Sequence, residues 1–198
     1  MTPTSVAKQL EKNGICVCPE FLSSISLSEI QNDVEKIQDQ GLFKKAGIGT
    51  AETNQLDSDI RRDSTFWLDR RKSNPIQNRL WKKIDSMKEA FNHQLFLGLQ
   101  GFEGHYSQFS AGDFYKRHSD TSKKSDHRII SMIIYLNRNW QTGDGGELRV
   151  YQANTQTDIQ PIGGTMVCFM SQNLEHEVLT NNKNRIALTG WFTTEAEY

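Results

Sequence analysis

Apolar residues in the first half of the chain recur at steps of three and four, the spacing of one helical face. This pattern predicts helices over residues 4–13 and 27–40, and a third that begins at Asn74-Pro75, where proline suits the first turn. The third helix carries its apolar stripe on Ile76, Leu80, Ile84, Met87, Phe91 and Leu95. We interpret these stripes as faces that pack into a core.

The pattern changes at residue 102 to short segments separated by Gly, Asn and Asp, which is typical of a β-sandwich or barrel. The predicted strands are 102–110, 114–120, 128–137, 146–152, 157–163, 165–171, 175–181 and 184–192. Segment 128–137 is almost continuously apolar, as expected for a strand covered on both faces. The leading architecture is mainly β, a jelly roll with packed helices.

The segment from Lys44 to Lys72 has no apolar period before Phe66-Trp67-Leu68. A stretch of this length in a compact domain is typical of a functional lid or of disorder. It carries a basic cluster, which is either a solvated face or a contact surface for an acidic or polypeptide partner. The cluster consists of Arg61, Arg62, Arg70, Arg71 and Lys72.

Composition narrows the class of protein. The chain has 198 residues and a formal net charge of -1, which argues against nucleic acid as the main partner. Its apolar runs are far shorter than the roughly 20 residues that span a bilayer, so we expect no membrane partner. A chain of this length is expected to form a single domain. The three cysteines leave an odd thiol, so we expect a reducing compartment and a cytoplasmic protein.

The stranded half contains a candidate metal site. Alternate residues of a strand point the same way, so His118 and Asp120 share one side, and a second histidine could complete a facial site of the kind that suits non-haem Fe(II). By itself a His-x-Asp triplet arises by chance in roughly a third of comparable chains. His176 is the candidate third ligand, although a histidine on a half-exposed strand is the simpler interpretation without further context.

The last predicted strand favours the metal interpretation. Its residues Arg185, Thr189 and Trp191 share one side, opposite a mostly apolar face. A guanidinium there can bind a carboxylate through two hydrogen bonds. The alternative is a surface arginine.

Several motifs in this order resemble the 2-oxoglutarate-dependent Fe(II) prolyl hydroxylases, most closely the branch of the hypoxia-inducible-factor prolyl hydroxylases and their short bacterial relatives. The resemblance covers residues 102–192 and is looser in the front half, through Gly14, 46–49, 60–63 and Trp67-Leu68. Its motifs are Phe114-Tyr-Lys-Arg-His118-Ser-Asp120, Arg128, Tyr135-Leu-Asn137, Trp140, Gly145-Gly-Glu-Leu-Arg149, His176-Glu-Val178, Arg185 and Trp191.

The resemblance implies a double-stranded β-helix in which His118, Asp120 and His176 bind iron. It implies that Arg185 and Tyr135 bind the distal carboxylate of 2-oxoglutarate, with Thr189 nearby. The implied pocket lining is Ile133, Leu148, Val178 and Trp191. Tyr115 is placed near the metal and substrate, and the implied substrate lid includes Arg61, Arg62, Asp63 and Trp67. Phe109 departs from the family, because relatives often carry a tyrosine there, so a hydroxyl is missing from the cosubstrate site.

The implied domain is single, residues 1–198, with helical support and a lid in 1–100 and the catalytic β-helix in 101–194. The implied reaction consumes 2-oxoglutarate and O2 at Fe(II), hydroxylates a prolyl residue of a protein or peptide, and releases succinate and CO2. Ascorbate is a candidate reductant, and a monomer is expected. The alternatives are the same chemistry on a free amino acid or small metabolite, and a non-catalytic metal-binding sensor of the same fold.

Overall fold

The computed structural model describes residues 1–47, 55–121, 126–153, 155–172 and 174–196. These ranges contain three α-helices, α1 (Pro3–Asn13), α2 (Ser24–Asp39) and α3 (Pro75–Leu95). Their strands are β1 (Ile15–Cys18), β2 (Lys44–Lys45), β3 (Ser64–Trp67), β4 (Gly101–Phe109), β5 (Tyr115–His118), β6 (Arg128–Tyr135), β7 (Leu148–Gln152), β8 (Thr155–Ile159), β9 (Met166–Met170), β10 (Glu175–Val178) and β11 (Arg185–Thr193).

Each helix begins at a side chain that caps it. The side chains of Thr2, Ser23 and Asn74 accept hydrogen bonds from backbone N–H groups of the first turn. The cap at Ser23 starts α2 before the predicted residue 27, and the predicted start of α3 is confirmed. α1 ends at Gly14, whose φ of 71° suits glycine. No helix in the described ranges has the length and apolar content to cross a membrane.

The strands form two antiparallel sheets. The larger has the order β1-β9-β6-β11-β4-β3-β2, and the smaller has the order β5-β10-β7-β8. Together with the packed helices, these sheets confirm the mainly β jelly-roll architecture. The eight strands expected after residue 101 are all present, with shifted ends, and β8 begins two residues before its predicted start at 157.

The front half contributes more than helices to the fold. It supplies β1, which pairs with β9, and β3, which pairs with β4 and with β2. The description of this half as helical was therefore incomplete. These strands have only two to four residues, too few for an alternating pattern to be recognised.

Two apolar layers lie on either side of the larger sheet. The first lies between the helices and the outer face of the sheet, and the second lies between the two sheets. Strand β6 contributes side chains to both layers. Met132 and Ile134 pack in the first layer, and Ile133 and Tyr135 pack in the second. This confirms that the strand is covered on both faces. The inner face of the same sheet also forms one wall of the candidate site.

Candidate active site

Strands β5 and β10 bring the three predicted metal ligands together. His118 and His176 are direct register partners, and Asp120 follows just after the end of β5. Asp120 Oδ1 lies 3.7 Å from His118 Nε2, and Asp120 Oδ2 lies 3.7 Å from His176 Nε2. One ligand atom from each residue falls within 4.8 Å of the others. Two imidazoles and one carboxylate at this spacing fit a facial Fe(II) site.

Backbone carbonyl groups hold both imidazole rings in a metal-binding orientation. His118 Nδ1 donates to the carbonyl of Lys116 at 2.7 Å, and His176 Nδ1 donates to the carbonyl of Leu174 at 3.2 Å. Because a carbonyl only accepts, the proton must lie on Nδ1 when the ring is neutral. Each Nε2 is then left with its lone pair for a metal.

The Asp120 carboxylate is oriented and kept charged by its neighbours. Ser131 donates a hydrogen bond of 2.6 Å to Asp120 Oδ2, and the Ser131 and Ser171 hydroxyls are 2.8 Å apart. Burial acts to raise the pKa of Asp120, but His176, His118 and the Ser131 hydroxyl together lower it. The group is therefore an anion at neutral pH, as metal binding requires.

His118 is also constrained on its outer face. The ring of Tyr115 stacks on it with centroids 3.6 Å apart, and the Arg61 guanidinium lies 4.3 Å from the centre of the Tyr115 ring. Arg61 in turn forms an ion pair with Asp63 at 2.7 Å. Burial, with a contribution from the neighbouring His176, lowers the pKa of His118 to about 4, so the ring is neutral and able to bind a metal at neutral pH.

Arg185 is a buried guanidinium with unused hydrogen-bonding capacity. Its side chain is only 1% exposed, Nε donates to the Gly146 carbonyl at 2.8 Å, and Nη2 has no partner. The Tyr135 hydroxyl is also buried without a partner. Burial raises the pKa of Tyr135 to about 12 against the opposing effect of Arg185. A buried charge normally needs a counter-charge, so this pair fits the distal carboxylate of 2-oxoglutarate.

A cavity of about 1310 Å³ joins the metal cluster to Arg185. Every predicted site residue except Arg62 and Tyr135 lies on its wall. Tyr135 lies behind Arg185, with the guanidinium carbon 5.3 Å from the ring centre. Arg62 is exposed and packs on Phe114, so the structure does not bring it to the cavity.

The lid is the part of the prediction that the structure covers least. Residues 48–54 of the segment lie outside the described residues. Of the rest, Arg61, Asp63 and Trp67 line the cavity. Trp67 is 52% exposed and stands at the end of β3, beside the cavity.

Two cavity residues, His105 and Glu103, had no predicted role, and Arg128 was expected only as part of the family motif. His105 lies on the wall, as do Glu103 and Arg128, and Arg128 Nε donates to Glu103 at 2.6 Å. Alternation along β4 would have placed Glu103, His105 and Phe109 on one face. The sequence contains no signal for which face of β4 borders the site.

Comparison with known proteins agrees with this geometry. Residues 104–193 match the sequence profile of the 2OG-Fe(II) oxygenase superfamily. The chain is also similar to a solved prolyl-4-hydroxylase from Pseudomonas putida, with 30% identity, a TM-score of 0.89, and coverage of 98% of this chain and 100% of that one. The chain belongs to the prolyl hydroxylase family of 2-oxoglutarate- and Fe(II)-dependent oxygenases. Fe(II) and 2-oxoglutarate are the cofactor and cosubstrate of this family.

Two further relatives are similar over almost the whole chain. A Trichoplax adhaerens prolyl hydroxylase, solved with a peptide fragment of the hypoxia-inducible factor oxygen degradation domain, is 27% identical with a TM-score of 0.86, covering 97% of this chain and 89% of that one. The hypoxia-inducible factor prolyl hydroxylase of Caenorhabditis elegans is 30% identical over 97% of this chain. The chain spans only 28% of the length of that relative and 44% of human Egl nine homolog 1.

Proposed function

We propose that this protein is a 2-oxoglutarate- and Fe(II)-dependent dioxygenase that hydroxylates a prolyl residue in a protein or peptide. The observation that carries the proposal is one cavity that holds both the His118, Asp120 and His176 cluster and Arg185, whose Nη2 has no hydrogen-bond partner. The first feature fits the metal, and the second fits a dicarboxylate cosubstrate. A non-catalytic metal-binding protein has no need of the second.

When bound, Fe(II) and 2-oxoglutarate supply the activation of O2 that adds one oxygen atom to a C–H bond and converts the cosubstrate to succinate and CO2. The residues of this chain bind and orient the reactants. The two histidines and Asp120 would hold the metal, and Arg185 would bind the far carboxylate of the cosubstrate. The Gly146 carbonyl fixes the direction of the Arg185 side chain. These are positioning roles, which account for a large share of catalysis in such sites.

Apolar side chains form part of the cavity wall. Ile133, Leu148 and Val178 lie on this stretch of the cavity. These three side chains offer no hydrogen bonds to water, so this part of the wall favours an apolar substrate group over solvent.

The size of the cavity supports a polypeptide over a small metabolite. Its 1310 Å³ exceeds the roughly 300 to 1,000 Å³ of common small-molecule sites. One side carries the half-exposed Trp67. The relatives support a peptide substrate, since the Trichoplax prolyl hydroxylase was solved with a peptide fragment of the hypoxia-inducible factor oxygen degradation domain. The free amino acid is the second candidate.

We further propose that the protein works as a cytoplasmic monomer. The three cysteines, Cys16, Cys18 and Cys168, are free thiols, which supports a reducing compartment. Ascorbate as a reductant and the division of the chain at residue 100 remain predictions.

The test is to load the protein with Fe(II) and 2-oxoglutarate without oxygen, add a cell extract or free proline, and then admit O2. Mass spectrometry of digested extract should show new hydroxyproline, with succinate formed in proportion. Asp120→Ala is the matched negative control, and omission of 2-oxoglutarate is the second. Hydroxylation of free proline alone would favour the metabolite alternative, and iron binding without succinate would favour the sensor.

A further inference from the structure

His105 forms a triangle of rings with Trp67 and Trp191 on the cavity wall. The His105 ring centroid lies 4.7 Å from that of Trp67 and 5.7 Å from that of Trp191, and the two tryptophans are 6.2 Å apart. The triangle is built by strand pairing, because Trp67 on β3 is the register partner of His105 on β4. The imidazole is therefore fixed between two large rings instead of being a mobile surface group.

The imidazole carries hydrogen-bonding capacity that the fold does not use. His105 is only 4% exposed, and Nδ1 is buried without a hydrogen-bond partner. Buried polar side-chain atoms in native proteins nearly always have a partner, so an unpaired one beside a cavity indicates a missing ligand. Burial lowers the pKa of His105 to about 3, so the ring is neutral and can both donate and accept. It lies outside the cluster of metal ligands.

The position of His105 favours the polypeptide over 2-oxoglutarate as that ligand. Arg185, the main group that fits the distal carboxylate, lies opposite Phe109 at the end of β4. His105 lies four residues before Phe109 on that strand, opposite Thr189 of β11, and contacts the half-exposed Trp67. It thus lies on the side of the cavity that a macromolecule can reach.

We propose that His105 is a specificity-determining residue, whose imidazole donates a hydrogen bond to a backbone carbonyl of the polypeptide substrate beside the target residue. This inference rests on the proposed function. A prolyl residue has no N–H of its own, so the backbone groups closest to its ring are its own carbonyl and the carbonyl of the residue before it, and both accept hydrogen bonds. The flanking tryptophans supply apolar surface for the ring of the target residue.

The test uses three variants of His105 and one control. His105→Phe keeps a ring between the tryptophans but removes the donor, whereas His105→Asn and His105→Gln keep an amide donor near the positions of Nδ1 and Nε2. Tyr106→Phe is the matched control, because it removes a buried, unpartnered hydroxyl from the neighbouring residue on the opposite face of β4. The probe is a synthetic copy of the proline peptide that gains oxygen fastest in a tryptic digest of cell extract.

His105→Phe should raise the KM for the peptide about tenfold and lower the ratio of hydroxyproline to succinate, with the KM for 2-oxoglutarate unchanged. At least one amide variant should recover most of the loss, and Tyr106→Phe should match the unmodified protein. A raised KM for 2-oxoglutarate, unchanged peptide kinetics, or amide variants as impaired as His105→Phe would each overturn the inference.

Two further measurements separate the possible failures. If the unmodified protein forms succinate but oxidises no prolyl peptide, the proposed function fails first and this inference fails with it. If His105→Phe does not fold, as judged by circular dichroism, the Zn(II)-substituted unmodified protein is used instead. Its His105 imidazole ¹⁵N signals should shift when the peptide is added and stay in place when 2-oxoglutarate is added. No shift with peptide would overturn the inference.

Discussion

Replacing Arg185 with lysine keeps the positive charge but removes the planar fork that we assign to the distal carboxylate of 2-oxoglutarate. The Arg185 side chain is 1% exposed, and its Nε is already committed to the Gly146 carbonyl, so Nη2 is the buried donor left without a partner. One lost hydrogen bond to a charged group is worth about 1.5 to 3 kcal/mol. Arg185→Lys should therefore raise the KM for 2-oxoglutarate about 10- to 150-fold.

The assay is succinate formation at increasing 2-oxoglutarate, with iron affinity measured separately. Arg149→Lys is the matched control, because Arg149 pairs with Asp158 away from the cavity. The same series with 2-oxovalerate, which lacks the distal carboxylate, isolates the interaction. The unmodified protein should strongly prefer 2-oxoglutarate, and Arg185→Ala should lose most of that preference. If Arg185→Ala leaves the preference intact, or if it weakens iron binding by the same factor, the assignment is wrong.

Four other changes have defined outcomes. Asp120→Ala should abolish Fe(II) binding measured by calorimetry as well as turnover, because it removes the only anionic member of the His118, Asp120 and His176 cluster. Gly146→Ala should raise the KM for 2-oxoglutarate and lower Tm, since φ is +66° and the new Cβ would lie 3.0 Å from Arg185 Cδ. Phe109→Tyr should lower the KM for 2-oxoglutarate about 2- to 10-fold by adding a hydroxyl near Arg185, whose guanidinium carbon is 5.1 Å from the Phe109 ring centre; a higher KM would refute this. Phe91→Ala should lower the free energy of unfolding in urea by about 3 to 5 kcal/mol, because Phe91 is fully buried against Phe192.

Alternation along single strands explains why much of the site could be predicted. Because the side chains of β11 alternate, Arg185, Thr189 and Trp191 had to share a face, and the structure places all three on the cavity wall. The apolar run of β6 likewise required burial on both sides. The helix that begins at Pro75 follows from proline and an asparagine cap. These features depend on residues that are close together in the sequence, so they can be predicted from it.

Pairing between distant segments explains what could not be predicted. Trp67 contacts His105 because β3 pairs with β4 in the larger sheet. The sequence of a four-residue strand does not indicate which strand it pairs with. The same limit applies to Arg62, which was expected in the substrate lid. A cluster of arginines in the sequence does not say which of them faces inward, and Arg62 packs on Phe114 while Arg61 lines the cavity.

The two histidine rings take their orientation from the main chain, each from the carbonyl two residues before it. A substitution can remove a side-chain partner but cannot remove a carbonyl. The backbone therefore determines the tautomer of both histidine ligands, whatever side chains surround them. Substitutions in the cavity wall therefore leave the orientation of the two histidine rings unchanged. A residue such as His105 can be replaced, with a change of substrate, while the iron chemistry is retained.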